Sequence, residues 1–194
     1  DEETGEPRAV TNASGDYVFA GLGYATYHVA SEKLADTKQT VPITNELSSE
    51  TLSTGSKPRS AAPGDYNDDG ILDLAVAEWG SNKVSVFLAD GNGSYHQAAG
   101  YSVGQNPASV ITGHFNDDND DDVINQDDDL DLVVANYSRS NISVLLNNGD
   151  GTFGNRVDYG VGPAPRDLAS GDINADGHPD IVVVNEYDNT VTVA

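Results

Sequence analysis

Short apolar runs broken by turns rich in Gly, Asn and Asp fill the chain from residue 74 onward. "LAVAEW" (74–79), "VSVFL" (84–88), "LVVANY" (132–137), "ISVLL" (142–146), "IVVVN" (181–185) and "VTVA" (191–194) have the length and β-branched content of strands. Further up the chain, "TNASGDYVFAGLGYATYHVASE" (11–32) alternates apolar and polar residues around glycine turns, a period of two. No segment carries a sustained helical period with caps at both ends. The pattern predicts an all-β fold.

The runs recur in phase. "GDYNDDGILDLAVAEW" (64–79) and "GDINADGHPDIVVVNE" (171–186) are copies of one unit, and "GHFNDDNDDDVINQDDDLDL" (113–132) opens a further copy that carries an insertion. Gly64 and Gly113 are 49 residues apart, as are Asp131 and Asp180, whereas Gly113 and Gly171 are 58 apart. About nine additional residues therefore sit in the acidic loop of the middle copy, within 117–128. Each unit follows a Gly-x-x-Pro (Gly55–Pro58, Gly104–Pro107, Gly162–Pro165), and the later turns "ADGNGSY" (89–95) and "NNGDGTF" (147–153) keep the same register. Four short antiparallel strands in about 50 residues is the content of a propeller blade.

Taken together, Asp-x-Asn-x-Asp-Gly-x-x-Asp leading into an apolar strand, followed by "NNGDGTF", resembles the FG-GAP (or VCBS-type) repeats of integrin-like β-propellers over roughly residues 55–194. The resemblance implies extracellular adhesion proteins, lectins or accessory domains of secreted enzymes. Two full periods and the start of a third are present, while a closed ring needs about four blades. Residues 1–45 are similar to the closing half of prealbumin-like B-type repeats of bacterial surface proteins, through Thr11, Gly15, Tyr17, Phe19, Leu22, Tyr27 and Val29. The expected division is thus a partial β-sandwich (1–45), a linker or outer strand (46–57) and propeller repeats (58–194).

The loops carry the candidate chemistry. Calcium takes six to eight oxygen ligands, and alternating acidic or amide residues around a glycine turn supply them from one short loop. The first loop offers Asp65, Asn67, Asp69, the Ile71 carbonyl and Asp73; the third offers Asp172, Asn174, Asp176, the His178 carbonyl and Asp180. The middle loop allows two readings. In the propeller register Asn116, Asp118 and Asp131 are ligands, with His114 replacing the first Asp. In a twelve-residue register resembling EF-hand and dockerin loops, Asp117, Asn119, Asp121, the Val123 carbonyl, Asn125 and Asp128 are ligands instead, and a register shifted by one residue uses Asp118, Asp120, Asp122 and Asp129. The alternative is that all these loops are Asx-rich turns bonded to their own backbone, the middle one a solvated acidic spacer. Two calcium sites are expected, with one or two more in 114–131.

Composition narrows the partners. With 32 acidic and 9 basic residues the formal net charge is −23, which repels nucleic acid and anionic membrane surfaces. No apolar run is long enough to insert in a bilayer. There is no cysteine, so no disulfide staples the fold, and the absence of methionine suits a processed or excised piece of a longer chain. Calcium at extracellular levels could occupy loops of this type and cytosolic calcium could not, which places the chain outside the cell or at its surface.

No nucleophile elbow, phosphate loop or zinc spacing appears, and the four histidines lie in unrelated contexts. Trp79 and Tyr137 hold equivalent positions, six residues after Asp73 and Asp131, where aromatic rings either stack on sugars or cover a blade's own core. Asn-x-Ser sequons at Asn12, Asn92, Asn136 and Asn141 suit exposed turns and strand ends. The function expected is a non-catalytic, calcium-binding adhesion or scaffold module that recognises protein or glycan. The alternatives are a subunit that self-associates through open sheet edges and an accessory domain of a polysaccharide-degrading enzyme.

Overall fold

A computed structural model describes residues 51–118, 124 and 128–194. The partial sandwich expected over 1–45 lies outside the described residues. So do Asn119, Asp121 and Asn125 of the acidic insertion, with Asp120, Asp122 and Val123 beside them.

The described residues are all-β and form three antiparallel sheets. The first runs in order β1 (Pro58–Gly64), β2 (Asp73–Glu78), β3 (Lys83–Ala89) and β4 (Tyr95–Ser102). The second repeats it with β5 (Pro107–Gly113), β6 (Asp131–Asn136), β7 (Asn141–Leu145) and β8 (Val157–Gly160). The third holds β9 (Pro165–Gly171), β10 (Asp180–Asn185) and β11 (Thr190–Val193), with β10 in the middle. These are the blades that the 49-residue period implies.

Register repeats down to single residues. Asp73 pairs with Gly64, Asp131 with Gly113 and Asp180 with Gly171, so each aspartate loop closes the first hairpin of its sheet. At the other end a bulge follows Pro58 and Pro107, and the Pro165 pairing shifts likewise. A proline at the strand's first position cannot donate to the ladder, and the bulge absorbs that break.

Alternation within the middle strands builds two cores. In β6, Leu132 and Val134 join Ala75, Ala77, Val84 and Val86 between the first two sheets. Val133 and Ala135 point the other way, with Ile142, to meet Leu168 and Val183 of the third. All six residues of β6 are buried, as a strand sandwiched on both faces must be. Tyr66 and Phe153 complete the first core edge to face, their rings 5.5 Å apart, and Tyr101 meets Phe153 at the same distance. Burial pushes the Tyr66 hydroxyl up to about 12, and it stays neutral, donating to the Ala62 carbonyl at 3.0 Å.

Candidate metal loops and a basic groove

In the first loop the side chains fold back on the main chain. Asp65 accepts from the N–H groups of Asp69 (3.1 Å) and Gly70 (2.8 Å), and Asp69 accepts from Ile71 N–H (2.8 Å). The Asn67 amide donates to Asp69 at 3.1 Å. Asp68 and Gly70 take left-handed φ values of 56° and 82°, which lets the turn close around Asp65. The third loop repeats this bond for bond. Asp172 accepts from Asp176 and Gly177, Asp176 from His178 N–H, and Asn174 donates to Asp176. These N–H bonds hold the Asp176 carboxyl below the usual carboxylate range.

The closing aspartate of each loop plays a different part. Asp73 is fully buried and accepts Tyr66 N–H (3.0 Å) with one oxygen and Ala89 N–H (2.8 Å) with the other. Asp131, also fully buried, does the same for Phe115 (3.0 Å) and Asn147 (2.9 Å). Asp180 accepts from Ile173 and Asn174. Each of the first two therefore clamps the start of its own loop to the end of the sheet's third strand. Burial, with Asp118 and Asp129 nearby, raises the Asp131 carboxyl to about 6 against the pull of its two N–H donors.

In the middle loop the described residues bring both candidate registers onto Asp118. The Asn116 amide donates to one of its oxygens, and Asp129 N–H donates to the other at 3.2 Å. Asp118 N–H in turn donates to buried Asp128 at 3.1 Å. Asp117 lies beside this group and makes contacts of its own. Asn116 Oδ1 and His114 Nδ1 are buried without a hydrogen-bond partner.

The junction of the first two sheets gathers more acid than the repeat spacing indicates. Burial and the charges of Asp118, Asp68, Asp128 and Asp150 raise the Asp129 carboxyl, so carboxylates from three loops share one neighbourhood. Asn147, from the "NNGDGTF" turn, straps the loops together by donating to the carbonyls of Tyr66 (3.0 Å) and Leu130 (3.2 Å). Sequence reading took that turn as a blade marker; the bridge is invisible there because Tyr66 is 81 residues away.

All the side-chain donors that the spacing picked out are oxygens, the set a hard cation takes, and a buried amide oxygen without a donor suits the same chemistry. The donor chemistry fits calcium. Among the described residues no three His, Asp or Glu side chains converge as a metal centre, and Asp65 and Asp172 use both carboxylate oxygens on backbone N–H groups. Binding would require side chains such as half-buried Asn67 and exposed Asp69 to turn.

The aromatic pair lies at the other end of the sheets. Trp79 and Tyr137 are half-buried and meet at a 46° tilt with centroids 5.2 Å apart, and the Arg59 guanidinium sits 4.9 Å over the Trp79 ring. The sequon at Asn136 falls at a strand end, the last residue of β6, but not an exposed one: Asn136 is fully buried and donates to Ser143 Oγ at 2.8 Å. A Cβ on Gly104 would come within 2.4 Å of its side chain, which explains the Gly of Gly-x-x-Pro. Between the first and second sheets at this end lies a groove of about 520 Å³ lined by Arg139 and Arg156, which sequence reading did not single out.

No curated protein matches the chain. The model for the FG-GAP-like repeat matches residues 65–124 and 124–183, the first running from the first acidic loop through β2 to β5 into the middle loop, the second from the middle loop through β6 to β9 and the third loop into β10. Those adjoining matches cover more than half of the sequence, and the chain belongs to the FG-GAP-like repeat family.

Proposed function

We propose that this chain is a non-catalytic recognition module of an extracellular or cell-surface adhesion protein, with calcium in its acidic loops as a stiffener. The observation that carries the reading is the recurrence of one oxygen-rich loop, bond for bond, at the same place in the first and third sheets. The middle loop adds a buried Asn116 oxygen that lacks a donor. Asp65, Asn67 and Asp69 would hold one ion, Asp172, Asn174 and Asp176 a second, and Asn116, Asp118 and Asp128 a third. The ion would supply positive charge where packed carboxylates repel one another.

At about 1 mM calcium, a site with a dissociation constant of about 0.1 mM adds about 1.4 kcal/mol. Calorimetric titration of the protein with calcium tests this. At least two sites are expected, with Asp69→Ala and Asp176→Ala each removing one. Absence of calcium heat in the unsubstituted protein would sink the reading.

A second reading, self-association, has its own observation. On the outward face of the third sheet Val184, Val191 and Val193 are 43%, 59% and 55% exposed. Their repeat equivalents in the second sheet, Ala135, Ile142 and Val144, pack into the core against the third. Sedimentation from micromolar to near-millimolar protein tests it: association abolished by Val191→Asp is expected, and a monomer throughout contradicts it.

A further inference from the structure

The groove between the first two sheets has no part in the calcium loops and lies at the opposite end of the strands. Its lining includes Asn82, Gln105, Arg139, Asn141, Arg156 and Asp158. What distinguishes it is an excess of unused donors. The Asn82 side-chain Oδ1 accepts Asn106 N–H (2.9 Å) and Asn141 Oδ1 accepts the Asn136 amide (3.1 Å), and neither side-chain NH₂ group has a partner among the described residues. Arg139 is exposed, and its guanidinium makes no hydrogen bond, ion pair or ring contact among the described residues. Arg59, Arg156 and Arg166 are each engaged, with Trp79, Asp158 and Glu186 respectively.

The one carboxylate in the lining is already committed. Asp158 accepts from Arg156 Nε at 3.1 Å and from Ser143 Oγ at 2.6 Å, while Arg156 Nη1 donates to the Ser102 carbonyl at 2.9 Å. The local balance is therefore positive in a chain whose net charge is −23. Lys57, Arg59, Lys83, Arg139 and Arg166 all fall at this end, away from the aspartate loops.

With the Gln105 amide as the lining's uncommitted side-chain acceptor, free guanidinium and amide N–H groups predominate, the complement of an oxyanion. The size argues for more than a single ion. About 520 Å³ adjoins a second groove of about 440 Å³ that shares Arg156 and Asp158 and is flanked by Tyr101. We propose that this groove binds an acidic oligosaccharide, with Arg139 as the anchor for its carboxylate or sulfate groups. The inference rests on the recognition half of the proposed function and is independent of the calcium half.

Titration calorimetry of the 194-residue protein at low salt tests it, with a glucuronate-containing tetrasaccharide, a neutral tetrasaccharide, tetraglutamate and sodium sulfate as ligands. The acidic sugar is expected to bind at least tenfold more tightly than the neutral one. Arg139→Gln is expected to weaken it about tenfold, the loss of one charge-assisted contact. Lys57→Gln should leave affinity unchanged, and melting of the exposed Arg139→Gln variant should match the parent. Equal binding of the neutral sugar, tighter binding of tetraglutamate, a response to sulfate alone, or an Arg139→Gln variant with full affinity would each overturn the proposal. Repeating the titration with calcium and with chelator separates the two claims, since a protein with no calcium response must still bind the acidic sugar here.

Discussion

Asp73, Asp131 and Asp180 show how far single residues can be read from spacing alone. The repeated loop motif marks all three, but for Asp73 and Asp131 one partner is remote in sequence: Ala89 and Asn147 each lie 16 residues beyond the aspartate they bond. Spacing offers Asp73 and Asp131 as terminal ligands; in the fold both are buried and each holds two backbone N–H groups. Asp73→Ala should cost about 2–5 kcal/mol, since it strands two buried N–H groups. Denaturant unfolding should show that loss equally with calcium and with chelator. Asp131 bears on pH. Its folded value of about 6 stands above the ordinary carboxylate value of 3.8, so the folded state binds the extra proton. Its contribution to stability is then greatest below the unfolded value and is lost as pH rises through about 6. In chelator, the melting temperature should rise between pH 7 and pH 5, and Asp131→Asn should flatten that rise while lowering stability overall.

Elements were more legible than residues. Strand positions, the Gly-x-x-Pro starts and the hairpin loops all follow from short apolar runs in fixed phase, because a sheet packed on both faces admits little else. The strap between sheets was not legible, since hydrogen bonding over 81 residues leaves no local mark. Asn147→Ala removes the bonds to Tyr66 and Leu130 and should destabilise by about 1–3 kcal/mol. Hydrogen exchange should show the loss first at the loops of the first two sheets. Gly104→Ala tests the packing of the second sheet's entry, where a Cβ would lie 2.4 Å from Asn136. Its melting temperature should fall well below that of an exposed control such as Gly160→Ala, where a Cβ meets open space.

At the scale of the whole molecule the described sheets form a charge gradient. Carboxylates gather where the loops of successive sheets meet, and the lysines and arginines gather at the opposite turns. Net charge was plain from composition, but its segregation appears only once the strands place alternate turns at opposite ends. An ion at the acidic end would relieve repulsion there and leave the basic groove available to an acidic partner. The central claim is the ion, and thermal melts at neutral pH with calcium, with magnesium and with chelator test it most directly. Two occupied sites at about 1 mM calcium should together raise the melting temperature by about 5–10 °C over chelator. Magnesium should do much less, and the double variant Asp69→Ala, Asp176→Ala should lose the rise. Superimposable melts in all three conditions would contradict the account and leave the loops as turns held by their own backbone.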